Sequence, residues 1–467
     1  MAIDLEVTRT LERLGTLRDR LWIDDERLDR YYNGTHRLAQ MGLAVPPSLR
    51  SFETAVNWPR LTVDALEARL DVKTFYMPDG RRADAVIEGW AFNNLDSESS
   101  LAHIDALVYG RSFVVVGSNA DDPAHPLVTV ESPREITADV DPRTRRITRA
   151  LRVYGVNEQT GQPEHATLYE PDRTTWFYRG PGEKWHETGR DDHRLGRVPI
   201  VMLVNRRRAG DFRGVSEMAD VLGLTDAAAR TLTNLQVAGE THAIPARWVS
   251  GVAKGDFVDA QGNPIPVWES YFTAMSATGN KDAKFGQFSA SDLKNFHDTV
   301  NHYAALVAAV TKMPHAYLGL TTAQSPSADA IRSAEAPHVK LAERKQRAFG
   351  DAWAWVAALY ERFRTGSWDN GNAMRTEWHD AATPTVAARA DAIVKLNGGL
   401  PILSREGSWD ELGWTEARKN TERERFEAES LDYFSVKPLN VEVSEDAVAD
   451  RSFGDSGSLP QGAVVSE

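Results

Sequence analysis

Two histidine-containing patterns are the candidates for metal chemistry in this sequence. Glu335-Ala-Pro-His338 has the Glu-x-x-His spacing found on one helix of a di-iron bundle. That chemistry needs a second copy of the motif and two further glutamates on neighbouring helices, and none is evident. His297 and His302 are five residues apart, so they do not share a helix face as the i, i+4 histidines of a zinc protease do. We predict no metal site and interpret both histidines as surface or interface residues.

The sequence also lacks a complete catalytic motif. Gly214-Val215-Ser216-Glu217-Met218 has no second glycine of a nucleophile elbow, and no glycine-rich stretch ends in the Gly-Lys-Ser/Thr of a phosphate-binding loop. Cysteine is absent, which removes thiol nucleophiles and thiolate zinc sites. The many carboxylates and 13 tryptophans leave a glycosidase pair open as a minor alternative, since spacing cannot show a facing pair. We predict a protein that is not an enzyme, with no catalytic residue and no cofactor.

Charge is the next feature that could support binding. Arg206-Arg207-Arg208 could face phosphate, but a solvated strand end is the favoured interpretation. The net charge of -13 argues against a protein that coats nucleic acid, because such binding depends on clustered cations. Residues 405–467 contain 15 acidic and 7 basic residues, a net charge of -8, which leaves -5 for the rest of the chain.

Length and hydropathy limit the class of protein. At 467 residues the chain predicts several structural regions, or one fold with long extensions. No apolar run is long enough to cross a bilayer, which argues against an integral membrane protein. The first residues, MAIDLEVTRTLERLG, contain early acidic residues and no continuous apolar core, so no conventional signal peptide is expected.

The first half of the chain predicts helices followed by strands. Leucines at helical spacing up to Leu28 indicate an amphipathic helix, and further helices are predicted over 62–70 and 97–109, the last one stopped by Gly110. From Arg111 onwards, β-branched and aromatic runs separated by turn residues predict strands. These runs are 113–116, 127–130, 147–154, 174–178 and 198–204. The predicted fold class is α+β.

The middle of the chain predicts two helices around an irregular β insertion. The first helix has an a/d-like rhythm that begins at Val215 and continues through Leu232. The insertion runs from Ile244 to Phe288 and is rich in proline and glycine. The second helix runs from Ser291, where serines can cap it, to Lys312, because Pro314 stops it.

A long helix follows, and it is the most informative element. Its start fits Ser325-Pro326-Ser327, and about 39 residues at 1.5 Å each give a length of roughly 58 Å. Pro337 lies inside it and predicts a kink near residues 333–337. One face carries the apolar stripe Ile331, Ala334, His338, Leu341, Phe349, Trp353, Val356, Tyr360 and Phe363.

The end of the chain predicts shorter elements. A polar break over 365–373 precedes helices at 385–396 and 408–430, which are separated by Gly398-Gly399 and Pro401. From about Val441 the sequence is acidic, rich in serine and glycine and poor in apolar residues, so residues 441–467 are predicted to be a disordered acidic tail.

Four local sequences, in this order along the chain, resemble the portal proteins of tailed bacteriophages, specifically the gp6-like branch common in phages of actinobacteria. They are Tyr31-Tyr32-Asn33-Gly34-Thr35-His36-Arg37-Leu38, Ala106-Leu107-Val108-Tyr109-Gly110-Arg111-Ser112-Phe113, Leu195-Gly196-Arg197-Val198-Pro199 and Ser327-Ala328-Asp329-Ala330-Ile331-Arg332. The resemblance spans roughly residues 10–430. It implies a portal fold with wing, stem, clip and crown regions and a long kinked helix through the ring body.

By this resemblance each segment has an expected place. Residues 1–205 would form the wing, 206–240 the first stem helix, 241–290 the clip, 291–313 the second stem helix and 314–325 the tunnel loop. Residues 326–364 would be the long kinked helix, and 365–440 the wing return and crown helices. The tunnel loop would present His315, Tyr317, Leu318, Gly319, Leu320, Thr321, Thr322 and Gln324 to DNA. The clip interface would include Arg247, Trp248, Val249 and Trp268.

The resemblance implies a dodecameric ring at one capsid vertex, through which double-stranded DNA enters and leaves. The implied partners are the large terminase subunit, a head-tail connector or adaptor, and the major capsid and scaffolding proteins, with no membrane. The protein would reside in the virion, after assembly in the host cytoplasm. A minor head or adaptor protein without a DNA channel is the alternative. An acidic wall would suit a channel because it repels phosphate, and the tunnel loop has no Lys or Arg between His315 and Ser325.

Overall fold

A computed structural model of the chain describes residues 4–38, 54–242, 247–251, 284–287, 293–320, 327–368 and 374–435. The chain divides into two units, Met1–Thr383 and Pro384–Glu467. The α+β prediction is confirmed. Within the described ranges, no helix is both long enough and apolar enough to span a membrane.

Ten helices lie in the described residues. They are α1 (Leu5–Tyr32), α2 (Trp58–Glu67), α3 (Asp84–Phe92), α4 (Leu95–Tyr109), α5 (Leu222–His242), α6 (Lys294–Thr311), α7 (Ala328–Thr365), α8 (Val386–Asn397), α9 (Arg405–Glu411) and α10 (Glu416–Ser435). Short 3-10 helices occupy Glu217–Asp220 and His315–Leu318.

The strands of the same ranges pair antiparallel throughout. They are β1 (Val72–Tyr76), β2 (Arg111–Gly117), β3 (Leu127–Glu131), β4 (Ile136–Val140), β5 (Ile147–Val156), β6 (Pro163–Tyr169), β7 (Thr174–Tyr178), β8 (His186–Asp191), β9 (Ile200–Val204), β10 (Arg247–Ser250), β11 (Lys284–Gln287) and β12 (Arg375–Trp378). The sheet orders are β3-β2-β9, β4-β5-β6-β7-β8, β1-β12 and β10-β11. In the five-stranded meander each strand pairs with the next one in sequence, which needs only short connections.

The long helix α7 forms the centre of the first unit. Ser327 caps its N-terminus by accepting a hydrogen bond from the backbone N–H of Ala330, and Gly366 ends it with a φ of 75°. Phe349 and Trp353 are completely buried, and the indole N–H of Trp353 donates to His103 Nε2 over 2.8 Å. Because α7 supplies these large side chains, it organises the main hydrophobic core.

The predicted apolar stripe of α7 is buried only in its C-terminal part. Residues 328–334 are all exposed, including Ile331 at 47%. Burial begins at His338, just after Pro337, and α7 continues past that proline although its nitrogen donates no helical hydrogen bond. The N-terminal turns of α7 therefore extend beyond the core of this chain.

Helix α1 covers one face of the five-stranded sheet. Leu11 and Leu14 pack in one cluster with Leu151, Leu168 and Phe177 of that sheet. Residues 166–169 of β6 are all buried, and Ala150 and Tyr169 belong to another cluster with Phe113, so the sheet is partly covered on its other face as well. The first helix therefore belongs to the same unit as the sheet that follows it.

Helices α5 and α6 pack against each other and flank the ribbon β10-β11. Both bury small residues, among them Ala228 and Ala229 in α5 and Ala304 and Ala308 in α6. Small side chains allow two helix backbones to approach closely. The predicted helical start of the first element was wrong, because α5 begins only at Leu222. Gly214, with a φ of 75°, and the cap of Ser216 on Met218 create turns and a separate 3-10 helix before it.

The second unit contains α8, α9 and α10. Trp409 is buried and stacks on Trp414 and Phe426. The single helix predicted over 408–430 is two helices, because Gly413 has a φ of 75° and ends α9. Residues 441–467, predicted to be disordered, lie outside the described residues.

Candidate functional site

The connection between α6 and α7 is the candidate site, because it follows the helix pair directly. Lys312 closes α6 in the left-handed region with a φ of 60°, and Met313 and Pro314 are buried. His315–Leu318 then forms a 3-10 turn, and Gly319 reverses the chain with a φ of 74°. Of the predicted loop residues, His315, Tyr317, Leu318, Gly319 and Leu320 are described. Thr321, Thr322 and Gln324 lie outside the described residues.

Tyr317 ties this loop to two other elements. Its hydroxyl donates to Glu335 Oε1 on α7 over 2.9 Å and accepts a hydrogen bond from Arg69 Nη2 over 2.9 Å. Arg69 is buried and also donates to the carbonyl of Ala381. Because Arg69 Nη2 lies 3.6 Å from Glu335 Oε1, the three side chains form one charged, hydrogen-bonded cluster. The ring of Tyr317 is still 37% exposed.

His338 lies one turn after Glu335 on α7, and its ring contacts the ring of Tyr317. Its Nε2 lies 3.2 Å from the carbonyl of Ala65, and burial lowers the pKa of its imidazole. A neutral ring must carry its proton on Nε2, since the carbonyl can only accept. In the Glu-x-x-His pattern, Glu335 therefore faces Arg69 and Tyr317 while His338 faces a backbone carbonyl. The described residues contain no group that could hold a metal ion.

A second cluster joins α7 to the segment before α5. Lys345 Nζ donates to Glu217 Oε2 over 2.6 Å and to the side-chain carbonyl of Asn205. Asn205 Nδ2 donates to the carbonyl of Val215 over 2.8 Å and to Glu217 Oε2 over 3.0 Å. The Lys345 and Glu217 side chains are only 7% and 10% exposed. Burial lowers the pKa of Lys345, whereas the charge of Glu217 raises it.

Two glycines allow the backbone to cross closely at this second cluster. Gly110 has a φ of 85°, and a Cβ atom there would lie 2.8 Å from the backbone nitrogen of Val215. Gly214 has a φ of 75° and lies against the carbonyls of Gly110 and Asn205. Since backbone atoms cannot move aside cheaply, any larger residue would separate the end of β9 from the segment that leads into α5.

The Tyr317 cluster and the Lys345 cluster connect the two ends of the α5-α6 pair to the same helix, α7. Glu335 holds the loop after α6, and Lys345 holds the turn before α5. The two residues are ten positions apart on α7, or about 15 Å along its axis. Both attachments are therefore made to the helix that also supplies Phe349 and Trp353 to the main core.

Of the other sequence-predicted residues, Arg206 borders the Lys345 cluster, because its charge adds to the effect of burial in lowering the pKa of Lys345. Arg247, Trp248 and Val249 are in β10, whose backbone pairs with β11, and Trp268 lies outside the described residues. His297 and His302 are exposed on α6. In the arginine run, Arg206 pairs with Asp220 over 2.7 Å, whereas Arg207 lies over the ring of Phe212. Among these residues, none of those that the structure describes has a hydrogen bond or ion pair with the Tyr317 cluster.

Sequence reasoning missed Arg69, Asn205 and Lys345. Lys345 could have been found, because it lies four residues after Leu341 and four before Phe349 and so falls on the apolar stripe of α7. A charged residue on a buried helix face needs a partner. Arg69 gave no such signal, since its partner Tyr317 is 248 residues away in sequence.

Comparison with known proteins gives consistent matches over most of the chain. The family model described as "Phage portal protein, SPP1 Gp6-like" matches residues 23–433. The chain is 36% identical over 413 residues to the portal protein of Mycobacterium phage D29, covering 86% of this chain and 84% of that protein. It is 35% identical over 412 residues to the portal protein of Mycobacterium phage L5, covering 85% and 84%.

Solved structures of gene transfer agent particles overlap with the chain at lower similarity. A chain of the native virion particle has a TM-score of 0.45 at 16% identity, covering 83% of this chain and 99% of its own length. A chain of the native neck computed with C12 symmetry has a TM-score of 0.43 at 18% identity, covering 80% and 95%. TM-scores this low do not establish a shared fold.

Proposed function

Because this chain belongs to the phage portal protein family, SPP1 Gp6-like, we propose that it forms the ring at one capsid vertex through which double-stranded DNA is packaged and ejected. The observation that carries the proposal is the family match over residues 23–433. Both mycobacteriophage relatives are portal proteins, so the alternative of a minor head or adaptor protein is not favoured. The role is structural, and we assign the chain no catalytic step.

Helices α5 and α6 are proposed as the stem, and the ribbon β10-β11 as part of the clip. In this arrangement α5, the ribbon β10-β11 and α6 would form one projection, and both of its ends would meet α7. The clusters at Lys345 and Glu335 fix those ends on α7. The first unit would then supply the wing and the ring body, and α8 to α10 the crown.

Ring assembly is supported by apolar side chains left uncovered on α6. Leu306 is 38% exposed and Val310 is 48% exposed. Residues four apart lie on the same face of a helix, so the two form a continuous apolar strip. We propose that a neighbouring copy covers this strip, in a ring that is dodecameric by family resemblance.

The loop after α6 is proposed to face DNA inside the channel. No Lys or Arg lies between His315 and Ser325, and the chain has a net charge of -13, so strong phosphate binding is not expected there. Tyr317 is anchored by its hydroxyl and exposes part of its ring. Contact with DNA would then be steric and transient, which allows the duplex to slide.

The proposed partners follow from this role. DNA would pass through the ring, the clip would bind the large terminase subunit during packaging, and a head-tail connector would bind later. Capsid and scaffolding proteins would surround the ring in the virion after assembly in the host cytoplasm. We propose neither a cofactor nor a membrane partner.

A packaging reaction with and without this chain tests the proposal against its alternative. Capsids assembled with the chain and supplied with terminase, ATP and linear DNA should protect DNA from nuclease. Capsids assembled without it should protect none. If capsids that lack the chain package as much DNA as complete ones, the chain is a minor head or adaptor protein and the proposal is wrong.

A further inference from the structure

A cleft on the first unit shares no lining residue with the α5-α6 pair or with the loop at 315–320. It has a volume of about 530 Å³ and lies between the β4-β5 turn, strand β9, the turn after β9 and the outer face of α7. Its lining combines arginines with apolar side chains. The arginines are Arg145, Arg146, Arg197 and Arg207. The apolar residues include Ile147, Val198, Ile200, Met202, Val204, Phe212, Ala352 and Trp355. In the described lining, Asp351 is the one acidic residue.

The four arginines of this cleft, called the arginine cleft below, have no carboxylate partners. In the part of the chain that the structure describes, none of Arg145, Arg146, Arg197 and Arg207 is within ion-pair distance of an acidic side chain. Arg197 instead lies 3.5 Å over the ring of Trp355. Arg207 lies over the ring of Phe212, whereas Arg145 and Arg146 are exposed at the rim, so the cleft presents cationic groups that no carboxylate of the described residues neutralises.

Holding these charges together costs free energy in the empty cleft. Burial and, to a smaller extent, the nearby charge of Arg146 together lower the pKa of Arg197 to about 10. Arg145 has a φ of 59°, a conformation that non-glycine residues adopt rarely. A bound anion would relieve the repulsion between the cations, because charge-assisted hydrogen bonds to a carboxylate are strong when the donor is arginine.

We propose that the arginine cleft binds an acidic peptide segment of another protein. Its carboxylates would pair with the arginines of the rim, and an apolar side chain would rest against Met202, Val204 and the edge of Trp355. Charge complementarity carries the assignment, since the cleft concentrates positive charge on a chain whose net charge is -13. The apolar lining favours a peptide over a simple inorganic anion.

Nucleic acid is the less suitable occupant. Single-stranded nucleic acid binds in such grooves by stacking its bases on aromatic faces. Here Arg197 lies over Trp355 and Arg207 lies 5.5 Å from the centre of Phe212, so a guanidinium already occupies one face of each ring. Carboxylates need only the guanidinium edges, which remain accessible.

Binding of a defined probe to the full-length protein tests this inference. The probe is a fluorescent synthetic peptide in which glutamate and leucine alternate, and the control peptide has glutamine at every glutamate position. We expect only the acidic peptide to bind. The double substitution Arg146→Ala/Arg207→Ala should weaken binding by about a hundredfold, since it removes two charge-assisted hydrogen bonds that each account for about a factor of ten.

Matched variants show whether the effect belongs to the cleft. The controls are Arg143→Ala and Arg208→Ala. Arg143 lies in the same turn as Arg146, and Arg208 is adjacent to Arg207, but neither residue lines the cleft. Both should bind the peptide as the wild type does. Equal weakening in these controls, or no peptide binding at all, overturns the inference. So does tighter binding of a single-stranded oligonucleotide that depends on Arg146 and Arg207, which would make the cleft a nucleic-acid site.

Discussion

Glu335 and Lys345 lie three turns apart on α7, and each holds one end of the same helix pair. Glu335 accepts a hydrogen bond from the hydroxyl of Tyr317, which follows α6. Lys345 donates a hydrogen bond to Glu217, which precedes α5. The spacing of about 15 Å along the axis is fixed by the helix itself. The proposed stem is therefore mounted on the element that also forms the main core, so its position depends on two small buried clusters.

Removing the Lys345 ammonium should destabilise the first unit. Lys345→Met leaves Glu217 buried without its counter-charge, and we expect a loss of about 3 kcal/mol in the free energy of unfolding. Denaturant unfolding of the purified chain measures it. The double substitution Lys345→Met/Glu217→Gln should recover part of the loss, because it leaves no charge unpaired.

Lys340→Met is the matched control for that experiment. Lys340 lies on the same helix and pairs with Glu343, but its side chain is 60% exposed. Exposed pairs contribute little, so the change should stay below about 1 kcal/mol. If both lysine variants lose the same stability, the buried cluster does not hold the helix pair in place.

The hydroxyl of Tyr317 should stabilise the position of the loop after α6. Tyr317→Phe removes the hydrogen bonds to Arg69 and Glu335 while keeping the packing, and we expect a loss of about 1 kcal/mol in stability together with less packaged DNA. Thermal unfolding and the nuclease-protection assay measure the two effects. Tyr303→Phe is the control, because its hydroxyl bonds to none of the described residues. Normal packaging by Tyr317→Phe would show that anchoring the loop is unimportant.

Asp105 should make stability depend on pH near neutrality. Burial raises the pKa of Asp105 to about 7, and the charges of Asp29 and Asp25 add to the rise, against the opposing effects of Ser132 and Arg134. An acid with a raised folded-state pKa stabilises the fold most below its unfolded value of 3.8, and that contribution is lost as pH rises to about 7.

The variant Asp105→Asn removes this titration. Compared with it, the wild type should lose up to about 1.4 kcal/mol per pH unit as pH rises between those two values. Denaturant unfolding of both proteins from pH 4 to pH 8 measures the difference. Asp121→Asn, at an exposed turn, should show the wild-type profile. Parallel profiles for Asp105→Asn and the wild type would mean that Asp105 is charged throughout.

The exposed strip on α6 should be needed for ring assembly. Val310→Asp places a charge where a neighbouring copy would bury an apolar face, so assembly should fail while the monomer still folds. Mass photometry and circular dichroism measure assembly and folding. Val156→Asp makes the same change at a valine that is 65% exposed outside the helix pair, and it should assemble normally. Rings of normal mass from Val310→Asp would exclude this strip as an interface.

Helical periodicity predicted most of the helices, because burial of one face follows directly from it, whereas α3 and the strands β1, β4, β6, β8 and β12 were not predicted. The stripe from His338 to Tyr360 is buried, and the runs that start at Phe113 and Ile147 are strands. Ile331 continues the stripe but is exposed, since spacing shows which residues share a face and not what covers it. Val215 also fitted the helical rhythm, yet the positive φ of Gly214 places it in a turn.

The candidate site was predictable only in its location along the chain. Pro314 and Gly319 marked a loop between two helices, and the loop is found there. Its anchoring was not predictable, because Arg69 reaches Tyr317 across 248 residues and Lys345 reaches Asn205 across 140. Such pairs depend on how the core is packed, which local sequence patterns do not specify.

Electron microscopy of the assembled chain tests the central claim most directly. The particles should be closed rings with an axial channel wide enough for a DNA duplex, and α5, α6 and the His315–Leu320 loop should line that channel. Assembly with the scaffolding protein should be included, so that a monomer in isolation is not mistaken for the final state. A reconstruction in which the chain forms no ring, or forms one whose channel is lined by other elements, would contradict the account.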